Sequence, residues 1–372
     1  MQALGRTAHQ TFPLISRSTL VSTLDFSQKL QHWYASNACK MPWRGTKDAY
    51  HIWLSEVILQ QTRIDQGWAY YERFIRLFPT VTHLAKASER DVLNAWQGLG
   101  YYSRARNLHK AAKLIASQGT FPNTYNSLLL LPGIGDYTAS AIASFAFDLP
   151  HAVVDGNVYR VLSRYFDIDT AIDTTEGKRT FKETATAVLD PKHSAIHNQA
   201  IMDLGRMVCT PRSPKCQECP LHDGCAMPAL HKNPEDLPRK RPKVSIKVRY
   251  FNYVFVNAAG KLLLHRRGDN DIWKGLYEPL LIETSKPTDA ALLLQQMAKQ
   301  LRINPQVSTF KQIAANVRHQ LTHQLIIADA FLLTTNEPLS PSPETYISIS
   351  LSDFHTYPVP RLIERLWAKV NI

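Results

Sequence analysis

Apolar side chains in the first 225 residues recur at intervals of three and four positions, the period of an α-helix with one buried face. Prolines and glycines separate the helical stretches, and no stretch in this part alternates as a β-strand does. The pattern predicts one all-helical domain over residues 24–227, preceded by a flexible tail over residues 1–23. Its clearest helices are expected at 26–34, 52–64, 68–78, 92–99 and 108–115.

The hydrophobic period changes to two after residue 247. Residues 248–256 and 261–265 alternate on either side of a turn at 257–260, which predicts a β-hairpin. We therefore expect an α+β domain over residues 248–372. Its further elements, one helix and then two strands, are predicted at 289–301, 313–319 and 325–333.

A basic segment separates the two patterns. Residues 228–247 contain Pro234, Pro238 and Pro242, and residues 237–249 carry six arginines and lysines and no acidic residue. This composition is typical of an extended linker. Its charge is equally consistent with DNA contact and with simple solvation, and the segment is also where repair proteins could bind.

Composition narrows the class of protein. With 44% hydrophobic and 20% charged residues among 372, the chain is globular and long enough for two or three domains. A net charge of +12 favours a polyanionic partner. No stretch approaches the roughly 20 apolar residues that cross a bilayer, and the first twenty residues lack the apolar core of a secretory signal. We expect a monomer in the cytoplasm or nucleoid of a bacterium, or in the nucleus or mitochondrion of a eukaryote.

Four of the five cysteines form the most specific pattern in the chain. The spacing Cys-x6-Cys-x2-Cys-x5-Cys indicates a metal site in a reducing compartment rather than a disulfide framework. Four thiolates in one short loop favour a [4Fe–4S] cluster. Tetrahedral zinc is the alternative, but zinc sites usually show two separated Cys-x2-Cys pairs. The predicted ligands are Cys209, Cys216, Cys219 and Cys225.

A second candidate site combines a glycine turn with a carboxylate that follows it in the chain. Gly133 and Gly135 lie between an apolar run and an alanine-rich helix, so their backbone N–H groups are candidates for binding a phosphate. Asp155 follows twenty residues later, between apolar residues and Gly156. Together they suggest DNA held near a reactive carboxylate. The alternative is a helix-turn-helix corner with a capping aspartate.

Five motifs in order, together with the cysteine loop, resemble the helix-hairpin-helix DNA glycosylases that carry an iron–sulfur loop, and among them the MutY-type adenine DNA glycosylases. The resemblance implies a mainly α helix-hairpin-helix domain with a [4Fe–4S] loop, joined by the linker to an α+β Nudix-like domain. It also implies that the partner is double-stranded DNA in which adenine is mispaired with 8-oxoguanine or guanine. The motifs are Trp43-Arg44, Trp53–Thr62, Gly98–Arg104, Leu131–Ala139 and Val154–Val158.

The resemblance assigns the chemistry to four residues. A carboxylate near C1′ stabilises the oxocarbenium-like sugar, and by resemblance Asp155 bonds transiently to C1′. Glu56, flanked by apolar residues that raise its pKa, would protonate adenine near N7; the alternative is a surface glutamate on an amphipathic helix. Tyr137 stands where bifunctional relatives carry a Schiff-base lysine, which implies base release without strand cleavage. Asn157 would orient Asp155 and the water, or serve only as a turn residue.

DNA contacts are also implied by the resemblance. The flipped adenine would be surrounded by Trp43, Arg44, Leu59 and Gln199, although Trp43 and Leu59 are equally consistent with plain core. Tyr101, with Leu99 beside it, is the candidate wedge that fills the duplex next to the lesion pair. Gln61 and Thr62 would face the opposite strand and its damaged guanine.

The C-terminal domain resembles the Nudix-like domain that reads 8-oxoguanine in this family. Residues 275–279, Gly-Leu-Tyr-Glu-Pro, follow its pattern, whereas the helix at 289–301 lacks the metal-binding glutamates of active Nudix hydrolases. We expect no pyrophosphatase activity. Where the family has Phe-Ser-His, this chain has Leu321-Thr322-His323, so Thr322 keeps a hydroxyl for the lesion and His323 is retained. The alternative is an ordinary Thr-His pair at a strand edge.

Three functions are compared on these residues. The leading prediction is a monofunctional adenine DNA glycosylase. A bifunctional glycosylase/lyase of the endonuclease III kind is disfavoured by Tyr137 and by the Nudix-like domain. A non-catalytic protein that only binds mismatches is disfavoured by the presence of both Glu56 and Asp155.

Overall fold

The computed structural model describes residues 17–242, 246–301, 308–336 and 346–370, with side chains from residue 25 onward except those of 294 and 297–301. Through residue 242 the described chain is helical, without strands. Its helices are α1 (Arg17–Asn37), α2 (Ala49–Ile58), α3 (Ile64–Leu77), α4 (Val81–Lys86), α5 (Glu89–Ala95), α6 (Ser103–Gln118), α7 (Tyr125–Leu129), α8 (Asp136–Phe147), α9 (Gly156–Tyr165), α10 (Thr175–Val188), α11 (Ser194–Met207) and α12 (Ala226–Ala229).

The remainder is a mixed sheet with flanking helices. The strands are β1 (Lys247–Ala258), β2 (Lys261–Arg266), β3 (Tyr277–Glu278), β4 (Leu280–Thr284), β5 (Ser308–Gln320), β6 (Gln324–Thr335) and β7 (Tyr346–Ser350), and the helices are α13 (Ala290–Leu301) and α14 (Arg361–Trp367). The sheet order is β3-β2-β1-β6-β5, with β4 on β1 and β7 on β2. Only β1 and β6 run parallel among the described pairs, which confirms the predicted α+β character.

The chain divides into two compact units. Unit 1 consists of residues 1–56 and 121–241, and unit 2 consists of residues 57–120 and 242–372. The boundary falls within α2, directly after Glu56. The change in hydrophobic period predicted the domain bounds 24–227, 228–247 and 248–372. Packing in the folded chain instead groups α3 to α6 with the sheet in unit 2.

Each unit has its own apolar core. In unit 1, α1, α9, α10 and α11 enclose buried side chains such as Phe26, Leu162, Phe181 and Leu204. In unit 2 one face of the sheet packs against residues 351–356 and α14 through Phe255, Phe354 and Leu362. The opposite face forms a second cluster that includes Leu293 of α13. No described helix has both the length and the apolar character needed to cross a bilayer.

The helix predicted at 52–64 is interrupted, which is a correction. Helix α2 ends at Ile58 and α3 begins at Ile64, because Gln61 adopts a left-handed backbone conformation with φ 59°. The helix predicted at 92–99 likewise ends at Ala95, ahead of Gly98 and Gly100, whose φ angles are also positive. Both interruptions create loops at positions that the resemblance assigns to DNA contact.

The ends of the helical part also differ from the predicted tail and linker. Helix α1 begins at Arg17, inside the predicted tail, while residues 1–16 lie outside the described part. Residues 228–241 of the predicted linker belong to unit 1. One of the contacts that attach them is a hydrogen bond of 3.0 Å from the Ile172 N–H to the Arg239 carbonyl. Residues 243–245 lie outside the described residues.

Candidate active site and iron–sulfur centre

Glu56 is buried in the last turns of α2, with 7% of its surface exposed. The hydroxyl of Tyr137, in the first turn of α8, donates a hydrogen bond to Glu56 Oε2 at 2.6 Å. Burial is the main cause that raises the pKa of Glu56 to about 7, and the Tyr137 bond opposes it. The negative charge of Asp155 raises this pKa further. Glu56 is therefore protonated much more readily near neutral pH than an ordinary glutamate.

Asp155 forms the N-cap of α9, as the capping alternative predicted. Its Oδ1 accepts hydrogen bonds from the N–H groups of Asn157 and Val158, both at 2.8 Å, and its Oδ2 accepts one from Asn157 Nδ2 at 2.8 Å. Burial raises the pKa of Asp155, whereas these bonds favour the ionised form. The cap fixes both carboxylate oxygens, so capping and a chemical role are compatible.

Arg160 extends this network and was not among the sequence candidates. Its Nη2 donates to Asn157 Oδ1 at 2.8 Å and also bonds the Gly205 carbonyl, while Nε donates to the Cys209 carbonyl at 2.6 Å. One guanidinium thus connects the partner of Asp155 with the first cysteine of the loop. A signal existed in the sequence, because an arginine here interrupts the apolar face of a helix between Val158 and Val161.

A close approach of α9 and α11 makes this network possible. A Cβ atom at Gly205 would lie 2.7 Å from the Asn157 Cβ and 2.8 Å from the Asn157 carbonyl oxygen. Any side chain at this position would therefore displace Asn157. Gly205 is a second residue that sequence reasoning missed.

Arg44 and Gln199 belong to one polar cluster in unit 1. Arg44 Nη2 donates to Asp203 Oδ1 at 3.1 Å, and Arg44 Nη1 lies 3.2 Å from the Tyr34 hydroxyl, which donates to Gln199 Oε1 at 2.9 Å. Asp203 is 1% exposed, and its charge is compensated by Arg44 and by Arg206, whose Nη2 lies 3.6 Å from Asp203 Oδ1. Trp43 is buried. The sequence predicted the outer members of this cluster but missed Tyr34 and Asp203, which join them.

The glycine hairpin has the geometry expected for a turn between two helices. Gly133 has φ 77°, a left-handed conformation that favours glycine, and Gly135 forms the N-cap of α8. Asp136 in the first turn of α8 is paired with Lys182 at 3.0 Å and accepts a hydrogen bond from Tyr125 at 2.6 Å. Lys182 compensates the charge of this carboxylate, which lies directly after Gly135, and Tyr125 satisfies it further by a hydrogen bond.

The four clustered cysteines line one cavity in unit 1. Burial is the main cause that raises the pKa of Cys219, to about 12, with further increases from the other three thiols. Burial also raises the pKa values of Cys216 and Cys225. Such crowded, buried thiols become thiolates when a bound metal compensates their charge, and the donor set of four sulfurs fits an iron–sulfur cluster.

Neighbouring residues hold the cysteine loop in place. Arg164 Nη1 donates to the Thr210 carbonyl at 2.7 Å and lies 3.4 Å from Cys209 Sγ. None of the five cysteines is in a disulfide. Within the described part of the chain, no three His, Cys, Asp or Glu side chains are arranged around a single ion.

The remaining DNA-contact candidates lie in unit 2. Tyr101 is 51% exposed, has φ 48°, and its hydroxyl lies 2.8 Å from Thr322 Oγ1 in the turn between β5 and β6. Leu99 is buried, whereas His323 is exposed. The residues around this pair surround an open cavity of about 550 Å³.

The loop after α2 holds the last three candidates. Leu59 is half-buried and Gln61 is exposed, while the Thr62 N–H donates to the Leu59 carbonyl at 3.2 Å. The structure therefore groups Trp43, Arg44 and Gln199 in unit 1, and assigns Leu59 to unit 2. In the Nudix-like motif, Glu278 is buried and accepts two hydrogen bonds of 2.7 Å from Arg267 Nη1, so its charge is already paired.

Comparison with known protein families identifies three matching regions of the chain. The family of HhH-GPD superfamily base excision DNA repair proteins matches residues 54–186, the NUDIX domain matches 252–369, and the iron-sulfur binding domain of endonuclease III matches 209–225. Among curated proteins, the adenine DNA glycosylase of Buchnera aphidicola subsp. Baizongia pistaciae is 36% identical over 69% of this chain and 74% of its own length. The chain belongs to the adenine DNA glycosylase family. The resemblance seen in the sequence is thereby confirmed.

Other relatives extend this result. The adenine DNA glycosylase of Rattus norvegicus is 40% identical over 56% of this chain and 42% of its own length. A thermostable thymine-DNA glycosylase matches with a TM-score of 0.52 and 25% identity, over 56% of this chain and 97% of its own. An endonuclease III–DNA complex, at 20% identity and a TM-score of 0.50 over 57% and 98%, shows the fold alone. Residues 209–225 are an iron–sulfur binding segment.

Proposed function

We propose that this member of the adenine DNA glycosylase family removes adenine mispaired with 8-oxoguanine or guanine in double-stranded DNA, and that it leaves an abasic site without cutting the strand. Family membership makes the chain a base excision repair enzyme that removes adenine. The observation that carries the finer proposal is the buried Glu56, bonded to Tyr137 at 2.6 Å and electrostatically coupled to Asp155.

Glu56 acts as the general acid. Adenine is a poor leaving group until a ring nitrogen is protonated, so a proton must be available beside N7. A carboxyl group with a pKa of about 7 is protonated often enough at neutral pH to supply it, and is also acidic enough to release it. Tyr137 holds the carboxyl in one orientation through its hydroxyl.

Asp155 stabilises the positive charge that develops at C1′ as the base departs. Its two oxygens are held by three hydrogen bonds, so the carboxylate need not reorganise during the reaction. Family resemblance supports a transient bond between Asp155 and C1′, followed by attack of water oriented by Asn157. This division between one acid and one carboxylate is the pattern of glycoside hydrolysis.

Release of the base without strand cleavage follows from position 137. A lysine amine there would form a Schiff base with the opened sugar, whereas a tyrosine hydroxyl has no such chemistry. The Tyr137 hydroxyl is moreover engaged with Glu56.

Binding of the flipped adenine is proposed for Trp43, Arg44, Leu59 and Gln199. Arg44 and Gln199 are joined through Tyr34, and Asp203 fixes the guanidinium of Arg44. Such mutual bonds preorganise donors and acceptors for the edge of a base. Trp43 and Leu59 would supply apolar contact to its faces.

The duplex would be held by charge, by the hairpin and by a wedge. Gly133, Gly135 and the N-terminus of α8 are proposed to bind backbone phosphates, and the net charge of +12 supports a polyanionic partner. Tyr101, beside Leu99, would fill the stack next to the lesion pair. Contacts to the damaged guanine are proposed for Gln61, Thr62, Thr322 and His323.

A [4Fe–4S] cluster is proposed on Cys209, Cys216, Cys219 and Cys225. When bound, the cluster supplies the positive charge that keeps four buried thiolates together, and its role is structural. Folding of this loop presents the basic residues Arg212 and Lys215, and Arg206 lies at the end of α11 just before it; all three are proposed for phosphate contact. About four iron atoms per chain are expected, and bound zinc would contradict the assignment.

One assay separates the candidate functions. The protein is incubated with duplex containing adenine opposite 8-oxoguanine, and free adenine and strand breaks are measured before and after alkali. We expect adenine release with breaks only after alkali. Breaks without alkali would indicate a lyase, and binding without release would contradict an enzymatic role.

Substitution of the acid gives the sharpest prediction. Glu56→Gln should abolish adenine release and retain DNA binding, because the amide keeps the shape and loses the proton. Glu183→Gln, at an exposed position on α10, is the matched control and should leave the rate unchanged. Turnover near the original rate in Glu56→Gln would show that Glu56 is not the acid.

A further inference from the structure

Arg104, in the first turn of α6, uses one guanidinium to bind two loops of unit 2. Its Nη1 donates to the carbonyl oxygens of Val57 at 2.9 Å and Ile58 at 3.3 Å, and it also bonds the Gln60 carbonyl. Its Nη2 lies 3.4 Å from the Gly100 carbonyl. The first three carbonyls belong to the end of α2 and the turn that follows it, and the fourth belongs to the loop before α6.

Two of these carbonyls, those of Gln60 and Gly100, directly precede residues with unusual backbone conformations. Gln61 and Tyr101 are not glycines, yet both adopt left-handed conformations, with φ 59° and 48°. This conformation costs free energy for residues with a Cβ atom and persists only where the surroundings enforce it. Arg104 bonds Gln60 and Gly100, the residue immediately before each. It is therefore placed to hold both strained turns.

The same guanidinium also supports the Tyr101 ring. The Arg104 guanidinium carbon lies 5.6 Å from the centre of the Tyr101 ring and 5.1 Å from that of Trp96. The indole N–H of Trp96 donates to the Gly100 carbonyl at 3.0 Å, and the Tyr101 hydroxyl lies 2.8 Å from Thr322 Oγ1. The position of Tyr101 is thus fixed by two contacts. The Arg104 guanidinium lies over its ring, and Thr322 lies within hydrogen-bond distance of its hydroxyl.

Arg104 is held by hydrogen bonds to backbone carbonyl groups and not by an ion pair. Among the described residues no carboxylate lies within ion-pair distance of its guanidinium. A planar fork with several donors can reach separated carbonyl oxygens at once, whereas the single head group of a lysine cannot. This contrast provides a conservative variant for testing the role.

We propose that Arg104 is a positioning residue that sets the preference for 8-oxoguanine over guanine opposite adenine, by fixing Gln61 and Tyr101 where they meet the damaged strand. This inference rests on the proposed function of those two residues. Arg104 touches neither the departing base nor the reacting sugar in this account. Its loss should therefore affect recognition of the opposite base more than the chemistry.

The test measures single-turnover adenine release from two duplexes, one with 8-oxoguanine and one with guanine opposite adenine. In Arg104→Lys we expect the ratio of the two rates to fall about tenfold, with less than about a threefold change for the guanine duplex. Arg73→Lys is the matched control, because Arg73 also lies over a tyrosine ring, at 4.9 Å, and bonds one carbonyl at 3.4 Å. Its ratio should remain that of the unsubstituted protein.

A second measurement does not depend on turnover. In the Glu56→Gln background, 2-aminopurine placed next to the 8-oxoguanine reports insertion of Tyr101, and Arg104→Lys should reduce its fluorescence change on binding. Equal loss of rate on both duplexes, or an unchanged ratio, would overturn the proposal, as would an unchanged fluorescence response. Failure of the unsubstituted protein to release adenine would instead contradict the proposed function, and the fluorescence comparison would still decide the role of Arg104.

Discussion

Burial and one hydrogen bond act in opposite directions on the carboxyl group of Glu56. Burial raises its pKa, the Tyr137 hydroxyl lowers it, and the balance lies at about 7. The apolar residues on both sides of Glu56 in α2 provide the burial, and the first turn of α8 provides the hydroxyl. The raised pKa of Glu56 has two measurable consequences, one for the pH dependence of the reaction and one for the free energy of unfolding.

Removal of the Tyr137 hydroxyl should shift the pH dependence of the reaction. Because this hydrogen bond favours ionised Glu56, Tyr137→Phe should raise the Glu56 pKa, and the protonated acid should persist to higher pH. With Glu56 as the proposed general acid, the rate of adenine release should fall as pH rises through that pKa, and this fall should move to higher pH in the variant. A single-turnover pH–rate profile checks the shift, and movement of the fall to lower pH would contradict the role of Tyr137.

Glu56 should also destabilise the folded protein above acid pH. Its folded pKa of about 7 exceeds the ordinary value of 4.5, so the ionised form is disfavoured by folding. Glu56→Gln should therefore be neutral below pH 4.5, become stabilising between pH 4.5 and 7, and remain stabilising above pH 7 by at most about 3 kcal/mol. Denaturant unfolding at pH 4.5 and pH 8 measures the difference. An equal effect at both pH values would contradict burial of a titrating Glu56.

At the scale of elements, helices α9 and α11 and the cysteine loop meet at Arg160. This residue bonds Asn157, the Gly205 carbonyl and the Cys209 carbonyl, and Asn157 in turn bonds Asp155. The position of the catalytic candidate Asp155 is therefore linked to the fold of the iron–sulfur segment. Gly205 permits the close approach on which this link depends.

Arg160→Lys should separate positioning from cluster binding. Lysine keeps the charge, but its single ammonium cannot span the separated oxygens that the guanidinium fork reaches, so the Asn157 side chain loses its support. We expect a decrease of at least about tenfold in the maximal excision rate, with little change in KM and with iron content retained. Iron analysis accompanies the kinetics, and exposed Arg76→Lys serves as control. An unchanged rate would show that Asn157 is held adequately by Asp155 alone.

At the scale of the whole molecule, the chain passes three times between its two units, after Glu56, Thr120 and Arg241. Helices α5 and α6 and the turn before α6 pack within unit 2. The buried Tyr102 donates to the Val359 carbonyl at 3.2 Å, and Asn94 donates to the Thr356 carbonyl at 3.1 Å. The segment between β7 and α14 therefore contributes to the environment of α5 and α6, and the turn between β5 and β6 carries Thr322 and His323.

Truncation after Arg241 tests this packing. The hydrophobic period predicts that residues 24–227 form a domain by themselves, whereas the contacts of Tyr102 and Asn94 predict that residues 57–120 lose support when the sheet is removed. We expect a lower thermal unfolding midpoint for residues 17–241 than for the full chain. Visible absorbance of the cluster and circular dichroism give two probes of unfolding. An unchanged midpoint would show that the helical part is independent.

Part of the fold and of the site could be predicted from local pattern. Periods of 3.6 and 2 distinguished the helical part from the sheet, because each period reports which face of a segment is buried. The Cys209–Cys225 spacing indicated the iron–sulfur segment, because all of its ligands lie in one loop. The motif around Glu56 indicated burial, which the structure shows. The interruption at Gln61 was missed, because apolar periodicity continues through that turn, whereas Gly98 and Gly100 were expected to end a helix.

The sequence by itself determined the class of the two structural parts, the iron–sulfur segment and, through the order of its motifs, the family. Only the tertiary structure decided that Tyr137 bonds Glu56, that Arg160 joins Asn157 to the cysteine loop, and that Arg104 bonds a carbonyl in each of the two turns. The physical reason is chain separation. Local spacing specifies neighbours within one element, whereas these bonds join residues brought together only when separate helices and loops pack.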